Sequence, residues 1–190
     1  AEEREGTFTD RVAALRPDVV VDLICFTLDS ATALVERLRG ETGHLLHCGS
    51  IWRHGPSERL PITEDGGTPP AGEYGIAKSA IAAMLKEETR SGGLVTTSLH
   101  PGHIVGPGWH PIGPLGNVDP TVWRTLSAGQ PLEIPGLGGE FLHHVHADDV
   151  AMMKFGGDAR LAQKTLTEVR VDHQCRRHDF QRHFAVDRLL

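Results

Sequence analysis

Glu73-Tyr74-Gly75-Ile76-Ala77-Lys78-Ser79-Ala80-Ile81-Ala82-Ala83-Met84-Leu85 is the stretch whose reading decides the fold. After Gly72 it reads as a helix, with apolar residues at 76, 77, 80, 81, 84 and 85 forming one stripe for burial. Tyr74 and Lys78 are four residues apart, so on a helix they share a face. An ammonium beside a phenol favours the phenolate and lowers the tyrosine's pKa, as a tyrosine acid/base requires. Taken alone, the same spacing also arises by chance on solvated helices.

The flanking segments narrow the choice. His44-Leu45-Leu46-His47-Cys48-Gly49-Ser50 reads as a buried strand whose carboxyl end delivers Ser50, and ligands of open α/β sheets bind just outside such ends. Upstream, Thr7 to Arg16 reads as a short helix stopped by Pro17. Asp18 to Phe26 reads as a strand apolar on both faces. Asp29 or Ser30 can cap a helix from Ala31 to Arg39, which Gly40 ends. Leu94 to Leu99 is the next strand. This alternation predicts right-handed crossover units on a parallel sheet, an α/β fold.

Further along, 51–72 reads as a long loop and His100 to Gly116, dense in Gly and Pro, as irregular. Asp119-Pro120 fits a cap with Pro in the first turn of a helix to about Ala128. Leu132-Glu133-Ile134, Phe141 to Val145 and Thr165 to Val171 are strand candidates, and Ala147 to Ala159 is a helix candidate. Asp172 to Leu190, rich in Arg and His, has no clean period and reads as a divergent tail.

The chain has 190 residues, 39% of them hydrophobic and 23% charged, enough for one globular core. A formal net charge of -6 argues against a nucleic-acid partner. The absence of a long apolar run or signal segment argues against a membrane one. Cys25, Cys48 and Cys175 are odd in number and widely spaced, which suits a reduced, cytoplasmic protein.

With Ser50, Tyr74-x-x-x-Lys78, His100-Pro101-Gly102-His103-Ile104-Val105-Gly106-Pro107 and His144-Val145-His146-Ala147-Asp148-Asp149-Val150-Ala151 in this order, the chain resembles the NAD-dependent epimerase/dehydratase family, the extended short-chain dehydrogenase/reductases. The resemblance covers roughly residues 10 to 155. It implies a Rossmann-like parallel sheet with flanking helices and a small irregular substrate region towards the C-terminus. It divides the chain into a dinucleotide-binding domain at 1–110, substrate-region elements at 111–171 and the tail at 172–190.

The same resemblance implies that Tyr74 is the general acid/base and that Ser50 hydrogen-bonds the substrate oxygen. Lys78 would lower the Tyr74 pKa and hold the nicotinamide ribose. Leu23, Ile24 and Cys25 lie where the family has a small-residue segment beside the cofactor, and Pro101, Gly102, His103 and Ile104 where its chain approaches the nicotinamide. His100 stands in place of an Arg and His103 in place of a common Asn.

The cofactor implied is NAD or NADP. The substrate implied is a hydroxyl-bearing small molecule such as a nucleotide sugar. Nothing before Thr7 can form the family's Gly-x-Gly-x-x-Gly turn, and Gly136-Leu137-Gly138-Gly139-Glu140-Phe141 has Phe where the third Gly belongs. The expectation is therefore an N-terminally incomplete sheet. The alternative function is a truncated or non-catalytic member that no longer binds the dinucleotide. Apolar faces left bare by such a loss leave self-association open. Of the twelve histidines, His143, His144 and His146 lie closest to carboxylates, Asp148 and Asp149. The family segment explains them without a metal, as substrate contacts and helix capping by Asp148.

Overall fold

The computed structural model describes residues 4, 6–56, 62–63, 66–109, 112–113, 119–134 and 142–154, with 153 and 154 by backbone alone. By compactness the chain divides into two units, Glu2–Pro101 and a second that runs from Gly102 onward. The 1–110 domain expected from the sequence ends inside the second. The strand and helix expectations from Phe155 onward, the Gly136–Gly139 turn, Phe141 and the tail all lie outside the described residues.

The first unit is a helix-covered parallel sheet. Its elements are α1 (Phe8–Ala14), β1 (Val19–Asp22), α2 (Leu28–Leu38), β2 (His44–Cys48), a 3-10 turn at Ile51–His54, α3 (Gly72–Arg90) and β3 (Thr96–Leu99). The strand order is β1-β2-β3, both pairs parallel, with Val19 opposite His44 and Leu45 opposite Thr96. Helical crossovers therefore separate sequential neighbours, as the alternation requires. Central β2 buries Leu45, Leu46, His47 and Cys48 in succession, because both of its faces are covered.

Helix α2 turns Ala31, Leu34, Val35 and Leu38 inward at the three-and-four spacing of an amphipathic helix. These side chains meet Ala13 of α1, Leu45 of β2, Ile81 and Leu85 of α3, and Cys25 and Leu94 in one core cluster. Removing several methyl groups there, as in Leu38→Ala, costs about 2–5 kcal/mol in sites of this kind.

Several expectations need correction. β1 ends at Asp22 rather than Phe26, because the Asp22 carboxylate accepts from the Ile24 backbone N–H (3.3 Å) and folds the chain out of the sheet. Neither Asp29 nor Ser30 caps α2; the Thr27 hydroxyl does, accepting from Ser30 N. β3 starts at Thr96, since the Leu94 N–H is taken by the Glu88 carboxylate (2.8 Å).

The buried face of α3 is Gly75, Lys78, Ile81, Ala82, Leu85 and Glu88, whereas Ile76 is 55% exposed. Two charged residues thus lie on the inward face. Glu88 does so because Arg39 binds both of its oxygens (2.8 and 2.7 Å). That guanidinium, then the Leu94 N–H, holds the Glu88 carboxyl down at about 2.

The second unit, among its described residues, holds β4 (His103–Val105), α4 (Pro120–Ser127), β5 (His144–His146) and α5 (Ala147–Lys154). β4 and β5 pair in parallel, with Ile104 opposite Val145. β4 therefore lies inside the stretch expected to be irregular: two β-branched residues suffice once a partner strand arrives from 41 positions on (145 − 104). Asp119 caps α4 through Thr121 N (2.9 Å), with Pro120 in the first turn as expected. At α5 the cap is not Asp148. The His146 imidazole Nδ1 accepts from the Asp148 N–H (3.2 Å), a ring nitrogen serving where an Asp or Ser usually does. Residues 132–134 form no strand.

Candidate active site

The carboxyl ends of β1 and β2 and the first two turns of α3 bring Ser50, Tyr74 and Lys78 together. Ser50 leaves β2 in extended conformation and caps the 3-10 turn, its hydroxyl accepting from Trp52 N (3.3 Å). Gly75 explains how α3 comes so close: a Cβ there would lie 2.8 Å from the Trp52 carbonyl oxygen. With that side chain missing, the helix settles onto the turn, and the buried Ser50 comes close enough to Tyr74 to favour its ionised form. Gly49 has a similar role on the other side, since its Cβ would lie 2.2 Å from His100 Nδ1 and 2.9 Å from the Leu99 carbonyl.

Lys78 is 2% exposed. Its ammonium donates to the Cys25 carbonyl (2.6 Å) and the Cys48 carbonyl (3.1 Å), tying the ends of the first two strands to the helix. It also lies 5.0 Å from the Phe26 ring centroid and 5.7 Å from that of Tyr74. Burial lowers the Lys78 pKa, opposed by the thiols of Cys48 and Cys25 and by Asp22.

Tyr74, 45% exposed, is the accessible member of the group. Its pKa is raised, not lowered: partial burial raises it, and only the Ser50 hydrogen bond pulls it down. This corrects the expectation that Lys78 lowers it. The ammonium is turned onto two carbonyls, and the phenol keeps its proton. Tyr74 is the single tyrosine of the chain, so phenolate absorbance reports it alone. An ultraviolet pH titration of the folded protein should give a midpoint above the ordinary value of about 10. Ser50→Ala should move it further up.

The cofactor-side residues separate into groups. Leu23 and Ile24 are half-buried just past β1, where a ligand can reach them. Cys25 is wholly buried with its thiol on the Thr27 carbonyl (3.5 Å), so it serves through its backbone carbonyl rather than its side chain. The Pro101 carbonyl accepts from Ile51 N (2.9 Å), fastening the chain after β3 to the 3-10 turn. Gly102, His103 and Ile104 belong to the second unit. There Gly102 leaves room for the His143 carbonyl, 2.5 Å from where a Cβ would stand, and His103 N donates to that carbonyl (2.7 Å). The His103 ring packs edge-on against His144 (5.7 Å), and His144 Nε2 accepts from Ile112 N (3.0 Å).

Sequence reasoning missed Phe26. Its only signal was an aromatic directly after the Leu23-Ile24-Cys25 segment.

His100 sits at the end of β3 with its ring edge-on to His54 (6.2 Å, 88°). Burial first, then the charges of Arg53, His54, His47 and Lys78, push its pKa down to about 3. Folding therefore favours the neutral ring. This stabilisation is complete above the unfolded value near 6.5 and is lost as pH falls from there towards about 3. Below about pH 6.5 the site should cost up to about 1.4 kcal/mol per pH unit. His100→Asn should flatten the decline of urea midpoints with acid.

In chemistry these groups fit a nicotinamide nucleotide with a hydroxyl-bearing substrate. There is an exposed phenol beside a buried serine, a buried ammonium held on two carbonyls, and half-buried apolar chain beside them.

The chain matches the NAD dependent epimerase/dehydratase family over residues 16–154, most of its length. It belongs to that family. The 2′-dehydrokanamycin reductase of Streptomyces kanamyceticus is 28% identical to this family member over 143 residues, 75% of the chain and 40% of the reductase. The chain thus spans well under half of that relative's length. Among solved structures, Thermotoga maritima UDP-glucose 4-epimerase with UDP-glucose superposes with a TM-score of 0.60 at 19% identity, covering 86% of this chain and 56% of the epimerase. A Bordetella bronchiseptica enzyme in complex with NAD gives 0.55 at 21%, covering 77% and 48%. A GDP-L-fucose synthetase from Naegleria fowleri bound to NADP gives 0.55 at 16%, covering 79% and 58%. These superpositions establish the Rossmann-like fold. Among the described residues no helix is long and apolar enough to cross a membrane.

Proposed function

We propose that this family member is an NAD(P)-dependent oxidoreductase or epimerase acting on a hydroxyl or carbonyl of a small substrate such as a nucleotide sugar, with Ser50, Tyr74 and Lys78 as its acid/base site. The observation that carries this reading is Tyr74, half-exposed one helical turn from a buried Lys78 whose ammonium lies 5.7 Å from its ring centroid, with the buried Ser50 beside it favouring the ionised phenol. A bound nicotinamide supplies or accepts the hydride. Tyr74 gives its proton to the substrate oxygen in the reducing direction and takes one in the oxidising direction. Ser50 donates to the same oxygen and holds it within reach of the phenol. Lys78 fixes the strand ends that frame the site. Leu23 and Ile24 are the proposed cofactor contacts of the first unit.

The names of the relatives support a small-molecule substrate: one is a 2′-dehydrokanamycin reductase, and another is a UDP-glucose 4-epimerase whose crystal structure holds UDP-glucose. The test is turnover of UDP-glucose and related sugar nucleotides with NAD or NADP, read as net nicotinamide absorbance for an oxidoreductase and as the epimeric sugar nucleotide by chromatography for an epimerase. Turnover that disappears in Tyr74→Phe supports the proposal. Turnover equal in the two proteins contradicts it.

A further inference from the structure

Lys78 carries three donor hydrogens, and the two backbone carbonyls account for two of them. The residue is only 2% exposed, so its ammonium is surrounded mainly by protein atoms. The group in the remaining space is the Phe26 ring, whose centroid is 5.0 Å from Nζ, nearer than that of Tyr74 at 5.7 Å. Both distances fall within the range at which a ring face attracts a cation. Phe26 is itself 48% exposed, and the Lys78 ammonium lies over the face of its ring.

The backbone puts it there. The chain leaves β1 after Asp22, and Cys25 turns its thiol inward onto the Thr27 carbonyl. The next residue, Phe26, is left outside the core and above the ammonium.

We propose that Phe26 is a positioning residue: its ring is the third partner of the Lys78 ammonium, keeping that group charged and held against the strand ends beside Tyr74. This rests on reading Lys78 as part of the site. The other charged or titratable groups that act on Lys78 are Cys48, Cys25 and Asp22, which favour its charge, and Arg4, which opposes it. Substitution at the Phe26 ring leaves all four in place.

The test replaces Phe26 in the 190-residue chain with phenylalanines of increasing ring fluorination, which weaken the ring's negative face at nearly constant shape. The readout is the Lys78 ammonium titration by nitrogen-detected NMR of labelled lysine, assigned by the signal lost in Lys78→Met. The expected result is a stepwise fall of the Lys78 pKa, about half a unit to one unit across the series. Wild-type Lys78 ε-methylene protons should show an upfield ring-current shift that disappears in Phe26→Leu. A pKa constant across the series in folded protein overturns the proposal, as do ε-methylene protons at their ordinary position in the wild type. No cofactor or substrate takes part, so these outcomes are separable from failure of the oxidoreductase reading.

Discussion

Replacing Tyr74 with phenylalanine is expected to lower turnover about 10²–10⁴-fold, the usual contribution of a positioned acid/base, with little change in KM. The substitution removes one oxygen from a ring that is half-exposed, so the fold loses almost nothing. Only the proton donor disappears, together with the group on which Ser50 acts. Ser50→Ala should fall on the same scale but less far, because the phenol remains and has lost only the partner that favours its ionised form. The two losses should not add, since both act on one substrate oxygen. A double variant as impaired as Tyr74→Phe alone is the expected signature.

Lys78→Met is expected to produce the largest loss of stability among the site residues, about 2–4 kcal/mol in urea denaturation. Methionine keeps the length and apolar stem of lysine but donates nothing. The Cys25 and Cys48 carbonyls, which face the ammonium at 2.6 and 3.1 Å, would each be left without that donor in a dry site. Relief from burying a charge offsets part of the cost, which keeps the figure below the sum of two orphaned acceptors. An unchanged unfolding midpoint would mean that the carbonyls find other donors and that Lys78 does not tie the strands together. Because the variant is weakened, its functional effects are meaningful only where a melting curve shows that it is folded.

How far the fold was legible follows from these same residues. Strand β2 and helix α2 could be placed because their burial follows from apolarity and period alone, Leu45-Leu46 in one case and Leu34, Val35 and Leu38 in the other. The face of α3 could not. Alanines at 77, 80, 82 and 83 suit either side of a helix, and the two residues that set the true face, Lys78 and Glu88, are charged. Their burial depends on partners 30 or more residues away, the Cys25 and Cys48 carbonyls and Arg39, which no local period can show. β4 was hidden for a similar reason, three residues among Gly and Pro whose partner comes much later.

The site divides in the same way. Ser50, Tyr74 and Lys78 could be named from order and spacing. The direction of the Tyr74 shift could not, because it turns on where the Lys78 ammonium points. Phe26 looked like the last residue of a strand, and only the early turn at Asp22 places it over Lys78.

The most direct test of the proposed function is calorimetric titration of the folded 190-residue chain with NAD and with NADP, repeated with a folded Lys78→Met sample. The expected result is saturable binding of at least one of the two at one site per chain, weakened in the variant. A folded wild-type chain that takes up neither dinucleotide would contradict it, leaving Ser50, Tyr74 and Lys78 as family residues that perform no hydride chemistry in this chain.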